Sequence, residues 1–148
     1  MALLIDLIVG AVGDFLGGLG NDLLKDTQKR AAFAKCLGAA LEAVKARYAE
    51  LVYTKFLDKI FFQQKTVVGE LAKLLSRSGE PDIEVLFEQY RREWQNPDDA
   101  PPEGRAAIQL FVDELRKCLW SSPEFRQELD SQAFEKTAGA AEHSEILL

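Results

Sequence analysis

A chain of 148 residues that is 47% hydrophobic and 28% charged has the composition of a single globular domain, which excludes an intrinsically disordered chain. Its formal net charge of −6 is unevenly distributed, because residues 1–79 carry 11 Lys and Arg against 8 Asp and Glu, whereas residues 80–148 carry 7 against 16. Nucleic-acid binding needs a basic stripe on the surface, so the acidic second half argues against a nucleic-acid partner.

Residues 1–20, MALLIDLIVGAVGDFLGGLG, predict an amphipathic helix whose second face is made of glycine. At 100° per residue, large apolar side chains share one face, formed by Leu4, Ile8, Val12, Phe15 and Leu19. The opposite face carries Gly10, Gly13, Gly17 and Gly20. Each glycine costs roughly 0.5–1 kcal/mol relative to alanine in a helix interior, so the stripe indicates close helix approach and self-association rather than stability.

Two aspartates, Asp6 and Asp14, lie on or beside the glycine face and weaken any tendency to enter a membrane. About ten large apolar residues, worth roughly −0.3 to −0.6 kcal/mol each on insertion, are offset by two Asp at roughly +2.5 to +3.5 kcal/mol each. A single copy should therefore not insert stably, whereas several copies could shield glycine and Asp from lipid. The alternative is a buried first helix of a soluble bundle, with the glycines allowing a tight helix crossing.

A basic surplus follows the opening helix. It comprises Lys25, Lys29, Arg30, Lys35, Lys45 and Arg47. The first four of these could contact anionic lipid headgroups, at about 1 kcal/mol per charge. The alternative is an ordinary solvated helix face.

Beyond Asn21 the helical phase changes, and a long helix is predicted to begin at Asp22 or by Gln28 and to continue to about Phe62. Its apolar period is formed by Phe33, Leu37, Leu41, Val44, Tyr48, Leu51 and Val52. Gly38 lies among small residues and predicts a place where a neighbouring helix packs closely.

The second half predicts shorter helices separated by one clear loop. One helix ends at a polar run with Gly79 after its last turn, and Pro81 is predicted to open the next. The loop is 96–104, NPDDAPPEG, and Ser122 with Pro123 is predicted to cap and start a final helix. The apolar stripes of these helices lie within 67–75, 83–94, 108–119 and 125–129.

The predicted fold is therefore all-α: a compact bundle of about five or six helices with one long central helix and the glycine-striped N-terminal helix. The predicted organisation is residues 1–21 as the N-terminal helix, 22–135 as the rest of the same domain, and 136–148 as a flexible tail or linker. Trp94 and Trp120 each continue a helical stripe, which favours core anchors over membrane-interface residues.

Cys36 and Cys118 lie far apart at apolar-periodic positions, and we expect both to be reduced core residues of a cytoplasmic protein. A secretory signal is disfavoured, because no Lys or Arg precedes the apolar stretch and Asp6 interrupts it.

Residues for catalysis are scarce. The single histidine, His143, lies in the weak tail, so Ser/His, Cys/His and histidine-based metal sites have no base or ligand set. The segment GAVGDFLGGLG lacks the Lys-Ser/Thr ending of a P-loop. We therefore expect no enzyme activity, no catalytic or metal-binding residues, no cofactor and no small-molecule substrate.

The long helix with CLGAALEAVKARY, a pair of short helices and the closing FVDELRKCLWSSPEFRQEL resemble the helical domains that precede NACHT-type (STAND) signalling NTPases in bacteria. In such domains the last helix often follows a Ser-Pro-Glu-like cap, here Ser122, Pro123 and Glu124. The glycine-rich apolar opening also resembles the Bell and HeLo-like membrane-targeting cell-death domains. Together the resemblances cover roughly residues 1–130.

The resemblance implies a membrane-targeting cell-death effector, pore-forming or membrane-perturbing, that oligomerisation activates in bacterial antiviral defence. Its expected partners are other copies of itself, membrane lipids and a signalling NTPase. Its expected location is the cytoplasm, with relocation to the inner face of the cell membrane on activation. The alternative is a soluble helical adaptor that binds a partner helix or a fused signalling NTPase.

Overall fold

The computed structural model describes residues 2–52, 57–75 and 80–125, and every regular element in these ranges is helical. The predicted all-α fold is confirmed. The α-helices are α1 (Ala2–Gly18), α2 (Thr27–Arg47), α3 (Ala49–Val52), α4 (Lys59–Gln63), α5 (Lys65–Ala72), α6 (Ile83–Arg92) and α7 (Glu103–Ser121). Short 3₁₀ turns occupy Leu23–Lys25, Lys73–Leu75 and Pro97–Asp99. The predictions for Gly79, for His143 and for the tail at 136–148 lie outside the described residues.

The central helix α2 begins inside the predicted window but ends early. Its cap is Asp26, whose carboxylate accepts hydrogen bonds from the backbone N–H groups of Gln28 and Lys29 at 2.9 and 3.0 Å. Asp22, the alternative start, makes no side-chain cap and precedes only a 3₁₀ turn.

The predicted continuation of this helix to Phe62 is wrong. Tyr48 leaves the helical conformation with φ −126° and ψ 50°, and the chain resumes as the short helix α3. Helix α4 then has its own cap, because Asp58 accepts a hydrogen bond from the N–H of Phe61 at 2.9 Å. The apolar period continues through Tyr48, so periodicity alone did not indicate that the helix ends there.

Two boundaries in the second half also differ from prediction. Pro81 does not open α6, because Asp82 is the cap and Ile83 the first helical residue. Helix α7 starts at Glu103, inside the predicted loop, so that Gly104 belongs to its first turn. Within the remaining loop, Asn96 caps the 3₁₀ turn at Pro97–Asp99.

Helices α2 and α7 pack along each other more extensively than any other pair of described elements, and their facing apolar stripes form the centre of the core. The opening helix α1 lies across α5, α2 and α4, while α6 packs on α7 and α5. The largest buried side chains include Tyr90, Phe33, Phe61, Phe62, Phe111 and Phe125. Burial of this kind is the main favourable term in folding.

The expectation of two reduced cysteines is wrong, because Cys36 on α2 and Cys118 on α7 form a disulfide. Their Cα atoms lie 5.4 Å apart, and 82 residues separate them in the chain. The core position of Cys36 is confirmed, with 0% of the residue exposed. Close packing of α2 on α7 brings the two residues together.

Trp94 and Trp120 differ in burial. Trp94 packs edge-on against Tyr90, with ring centroids 6.3 Å apart, and is partly buried. Trp120 is 56% exposed, so the prediction of a core anchor is wrong for this residue. Leu119 occupies the inward position of the stripe, and Trp120 follows it about 100° further round the helix.

Gly104 packs closely against the ring of Tyr90. We therefore predict opposite effects on the free energy of unfolding for two Gly-to-Ala changes, one at Gly104 and one at Gly10. A Cβ on Gly104 would lie 2.6 Å from Cε2 of the fully buried Tyr90 ring, whereas a Cβ on Gly10 of α1 meets nothing within 4 Å. We expect G104A to lower the free energy of unfolding by about 1–2 kcal/mol, because overpacking outweighs the helix-propensity gain. G10A should raise it by about 0.5–1 kcal/mol. Urea unfolding followed by circular dichroism measures both, and an equal stabilisation by the two changes would contradict the close contact.

Candidate membrane-active helix

Helix α1 ends by a backbone motif that accounts for its last glycine. The N–H of Asn21 donates to the carbonyl of Leu16 at 2.8 Å, and the N–H of Gly20 donates to the carbonyl of Gly17 at 3.0 Å. Gly20 has φ +80°, the left-handed conformation that this type of helix end requires. Leu19 and Gly20, predicted members of the two faces, therefore lie just beyond the helix, and the structure places Gly20 in the capping turn.

The apolar face of α1 is buried in the bundle. Its fully buried side chains are Ile8, Val9, Val12 and Leu16. Of the predicted insertion face, Ile8 and Val12 are buried, Leu4 and Phe15 are partly buried, and Leu19 is 63% exposed.

Two residues of this buried face, Val9 and Leu16, were not predicted from the sequence. The spacing i, i+4, i+8 from Ile8 through Val12 leads to Leu16 and could have identified it. The centre of the face thus lies closer to Leu16 than predicted.

Helices α5 and α2 each have a glycine where they pack against α1. A Cβ on Gly69 of α5 would lie 3.3 Å from Cζ of Phe15, and a Cβ on Gly38 of α2 would lie 3.4 Å from Cδ1 of Ile5. The close approach predicted at Gly38 is confirmed. The close approach therefore relies on glycines of the receiving helices.

The glycine face of α1 points outward. Nothing lies within 4 Å of a Cβ placed on Gly10 or Gly17, while one on Gly13 would lie 3.7 Å from Cβ of Leu24 in the following 3₁₀ turn. Asp6 and Asp14 are exposed on the same side of the helix. Gly10 and Gly17 therefore mediate no tight helix crossing within the described fold, and this side of α1 is open to solvent.

Leu3 adds an apolar side chain to that open side. It is 85% exposed and precedes Gly10 by seven residues, close to two helical turns. The outward surface of α1 thus combines a large apolar residue, two carboxylates and backbone exposed at glycine.

The predicted lipid-contacting cations do not form one face. Lys25 pairs with Asp22 at 3.2 Å in the exposed turn before α2. Within α2, Arg30 and Lys35 are both exposed but lie about 140° apart around the helix axis, and Lys29 is partly buried. Lys35 instead lines a surface cavity beside the disulfide.

No helix in the described ranges has both the length and the apolar character needed to cross a membrane. The same ranges hold no cluster of His, Cys, Asp or Glu suited to a metal ion. Arg105 of α7 donates a hydrogen bond to Glu84 of α6 and forms an ion pair with it, and this hydrogen bond raises the pKa of the guanidinium.

Residues 2–147 match a family model described as NACHT N-terminal Helical domain 2. No curated protein and no solved structure matches the chain. The match covers all of the described helices, including α1 with its glycine face.

Proposed function

Since this chain belongs to the NACHT N-terminal helical domain 2 family, we propose that it is the membrane-targeting effector domain of a NACHT signalling NTPase. In this proposal, oligomerisation activates the domain to form pores in a membrane or perturb it, and the outcome is regulated cell death in bacterial antiviral defence. The family places a helical domain beside a nucleotide-driven module, and α1 supplies the element that acts on lipid.

The observation that carries the proposal is the two-sided character of α1. One side holds Ile8, Val12 and Leu16 in the core, whereas on the other side a Cβ placed on Gly10 or Gly17 would meet nothing within 4 Å. A helix needed only for stability would gain roughly 0.5–1 kcal/mol at each open glycine from alanine. Open glycine at these positions therefore favours a role in contact with another helix, as in lipid-embedded helix pairs.

Clustering of several copies makes insertion of α1 into a membrane more favourable than it is for a single copy. Leaving the bundle exposes the apolar side of α1, and lipid can bury that side again at a gain similar to the loss. Asp6 and Asp14 oppose insertion of a lone helix, but copies that meet along the glycine side can shield these carboxylates from lipid. An NTPase that oligomerises raises the local concentration of the domain and so favours this association.

We infer the partners and the location of the domain from the same model of activation by clustering. The partners are other copies of this chain, anionic membrane lipid and the NTPase, and no catalysis, cofactor or small-molecule substrate is involved. The domain rests in the cytoplasm and moves to the inner face of the cell membrane on activation. With Cys36 and Cys118 bonded, reduced cysteines no longer support this location.

A soluble adaptor is the second candidate, and the burial of α1 favours it. Four side chains of α1 complete the core of the resting bundle, as a structural first helix would. In this role Leu3 and Trp120, both more than half exposed, are suited to contact a partner helix. The adaptor would bind its NTPase without ever acting on lipid.

A pair of matched double variants tests the effector proposal. G10L/G17L fills the open glycine side of α1, where a Cβ at either position would meet nothing within 4 Å. A39L/A46L introduces the same two leucines, at the same spacing of seven, on the exposed side of α2. With the chain fused to an inducible oligomerisation module, we expect G10L/G17L to lose dye release from phosphatidylglycerol-containing vesicles and A39L/A46L to retain it.

G10L/G17L should unfold at a urea concentration equal to or above that of the parent, because leucine has a higher helix propensity than glycine. A39L/A46L should unfold close to the parent concentration, because alanine and leucine differ little in helix propensity. Equal leakage by both variants would contradict a role for the glycine side. Absence of leakage by the clustered parent would favour the adaptor.

A further inference from the structure

The Cys36–Cys118 disulfide lies in the wall of a surface cavity of about 590 Å³ between the start of α2 and the end of α7. Cys118 lines this cavity and is partly exposed, whereas Cys36 is 0% exposed. The two cysteines of the bond therefore differ in access from solvent. A nucleophile that enters the cavity meets Cys118 in its wall, whereas Cys36 does not line the cavity.

We propose that Cys118 is a thiol-exchange site for a small peptide thiol of the glutathione class. The incoming thiolate attacks Sγ of Cys118 and forms a mixed disulfide there. The Cys36–Cys118 bond breaks, its electron pair passes to Sγ of Cys36, and that thiolate takes a proton from solvent. The reverse attack by Cys36 restores the original bond and releases the small thiol.

Ser122 is placed to accommodate the released cysteine. Its hydroxyl donates to the carbonyl of Cys118 at 2.8 Å, and its Oγ lies 3.6 Å from Sγ of Cys36. Once Cys36 carries a proton, its S–H can donate to that oxygen. The buried thiol therefore has an acceptor in place, and the exchange leaves no new unpaired polar group in the core.

The cavity rim has charges that suit such a ligand. Lys35 of α2 and Glu124 after α7 provide one cation and one anion, and Gln28 adds an amide with donors and an acceptor. A glutathione-class peptide carries carboxylates, an amino group and amide bonds that pair with these groups. A volume of about 590 Å³ lies within the usual range of small-molecule sites, roughly 300–1,000 Å³.

A disulfide exposed in this way has a different role from a sealed structural bridge. Low-molecular-weight thiols keep most cytoplasmic cysteines reduced, and cytoplasmic disulfides that do form tend to be transient or redox-sensing. Exchange at Cys118 would open the only covalent tie between α2 and α7 among the described residues while leaving their apolar contact in place.

The experiment uses the full chain in buffers of defined reduced-to-oxidised glutathione ratio, quenched with acid and alkylated with N-ethylmaleimide. Trypsin separates the two sites, because Lys117 directly precedes Cys118 and Lys35 directly precedes Cys36. We expect a glutathione adduct on the Cys118 peptide and an alkylated thiol on the Cys36 peptide. Adducts on Cys36 alone, or equally on both peptides, would overturn the proposal, as would reduction or resistance at all ratios without any adduct.

Matched charge reversals test the role of the cavity rim. K35E removes the cation from the rim, and K45E makes the same change ten residues further along α2, outside the cavity. We expect K35E to slow the reaction with reduced glutathione about three- to fivefold and K45E to leave it nearly unchanged. With 2-mercaptoethanol, which attacks as a thiolate but carries no carboxylate, K35E should slow the reaction by a smaller factor than it slows glutathione, and K45E should leave it nearly unchanged. Equal slowing of glutathione by both variants would exclude recognition in the cavity.

Discussion

Oxidised G13C/L24C protein is expected to release no dye from vesicles, even when it is clustered by a fused oligomerisation module. A Cβ on Gly13 would lie 3.7 Å from Cβ of Leu24, close to the mean separation of about 3.8 Å in natural disulfides. The new bond would tie the middle of α1 to the 3₁₀ turn before α2. If α1 must leave the bundle to act, this tie should reduce leakage to the background level.

The single variants G13C and L24C are the controls, measured under the same oxidising conditions. Leu24 is buried, so its loss weakens the core in L24C and in the double variant alike. Both single variants should still cause leakage. Full leakage by the oxidised double variant would mean that α1 acts without leaving its place, and the release step would be wrong.

Deletion of residues 1–20 is a weaker test. It removes the buried side chains of Ile8, Val9, Val12 and Leu16 from the core. At about 1.5–3 kcal/mol for each buried side chain, the loss approaches the whole stability of a typical domain, about 5–15 kcal/mol. The truncated chain is therefore expected to unfold or aggregate whether α1 is an effector or a structural helix.

Removal of the Cys36–Cys118 bond is expected to produce the largest loss of thermal stability. The bond closes a loop over a sequence separation of 82 residues, for which the chain-entropy treatment gives about 4.5 kcal/mol at 25 °C. In a domain of this size, C36A/C118A should lower Tm by roughly 10–20 °C relative to the oxidised parent. Differential scanning calorimetry with and without reductant measures the change.

Reductant itself provides the control for this prediction. The parent should lose most of the same Tm on reduction, whereas C36A/C118A should show the same Tm with and without reductant. A parent whose Tm does not respond to reductant, together with a variant of equal Tm, would mean that the bond adds nothing to stability.

Local signals in the sequence predicted most helices but not all of their ends. Asp26, Asp58 and Asp82 each cap a helix through side-chain acceptance, and the prediction placed the start of α2 within a few residues of Asp26. The break at Tyr48 was not predicted, because an apolar side chain there fits a continuing helix as well as a helix end. Tertiary packing determines whether the helix continues or ends at Tyr48, and apolar periodicity contains no information about that packing.

The two faces of α1 were also predicted only in part, because residue spacing along a helix shows which side chains share a face but not where the helix ends. Apolar spacing identified Ile8 and Val12 as one face of α1, and glycine spacing identified Gly10 and Gly17 as the other. Spacing could not tell that Gly20 lies in the capping turn, since that depends on backbone hydrogen bonds after Gly18.

The sequence by itself determined that this protein is helical and that its first helix has an apolar side and a glycine side, because both properties follow from the period of neighbouring residues along one helix. Only the tertiary structure decided that the apolar side is buried at rest, that Gly104 must accommodate Tyr90, and that Cys36 bonds to Cys118. Each of these depends on distances between residues far apart in the chain, and such distances are set when helices pack and not by the composition of any one helix.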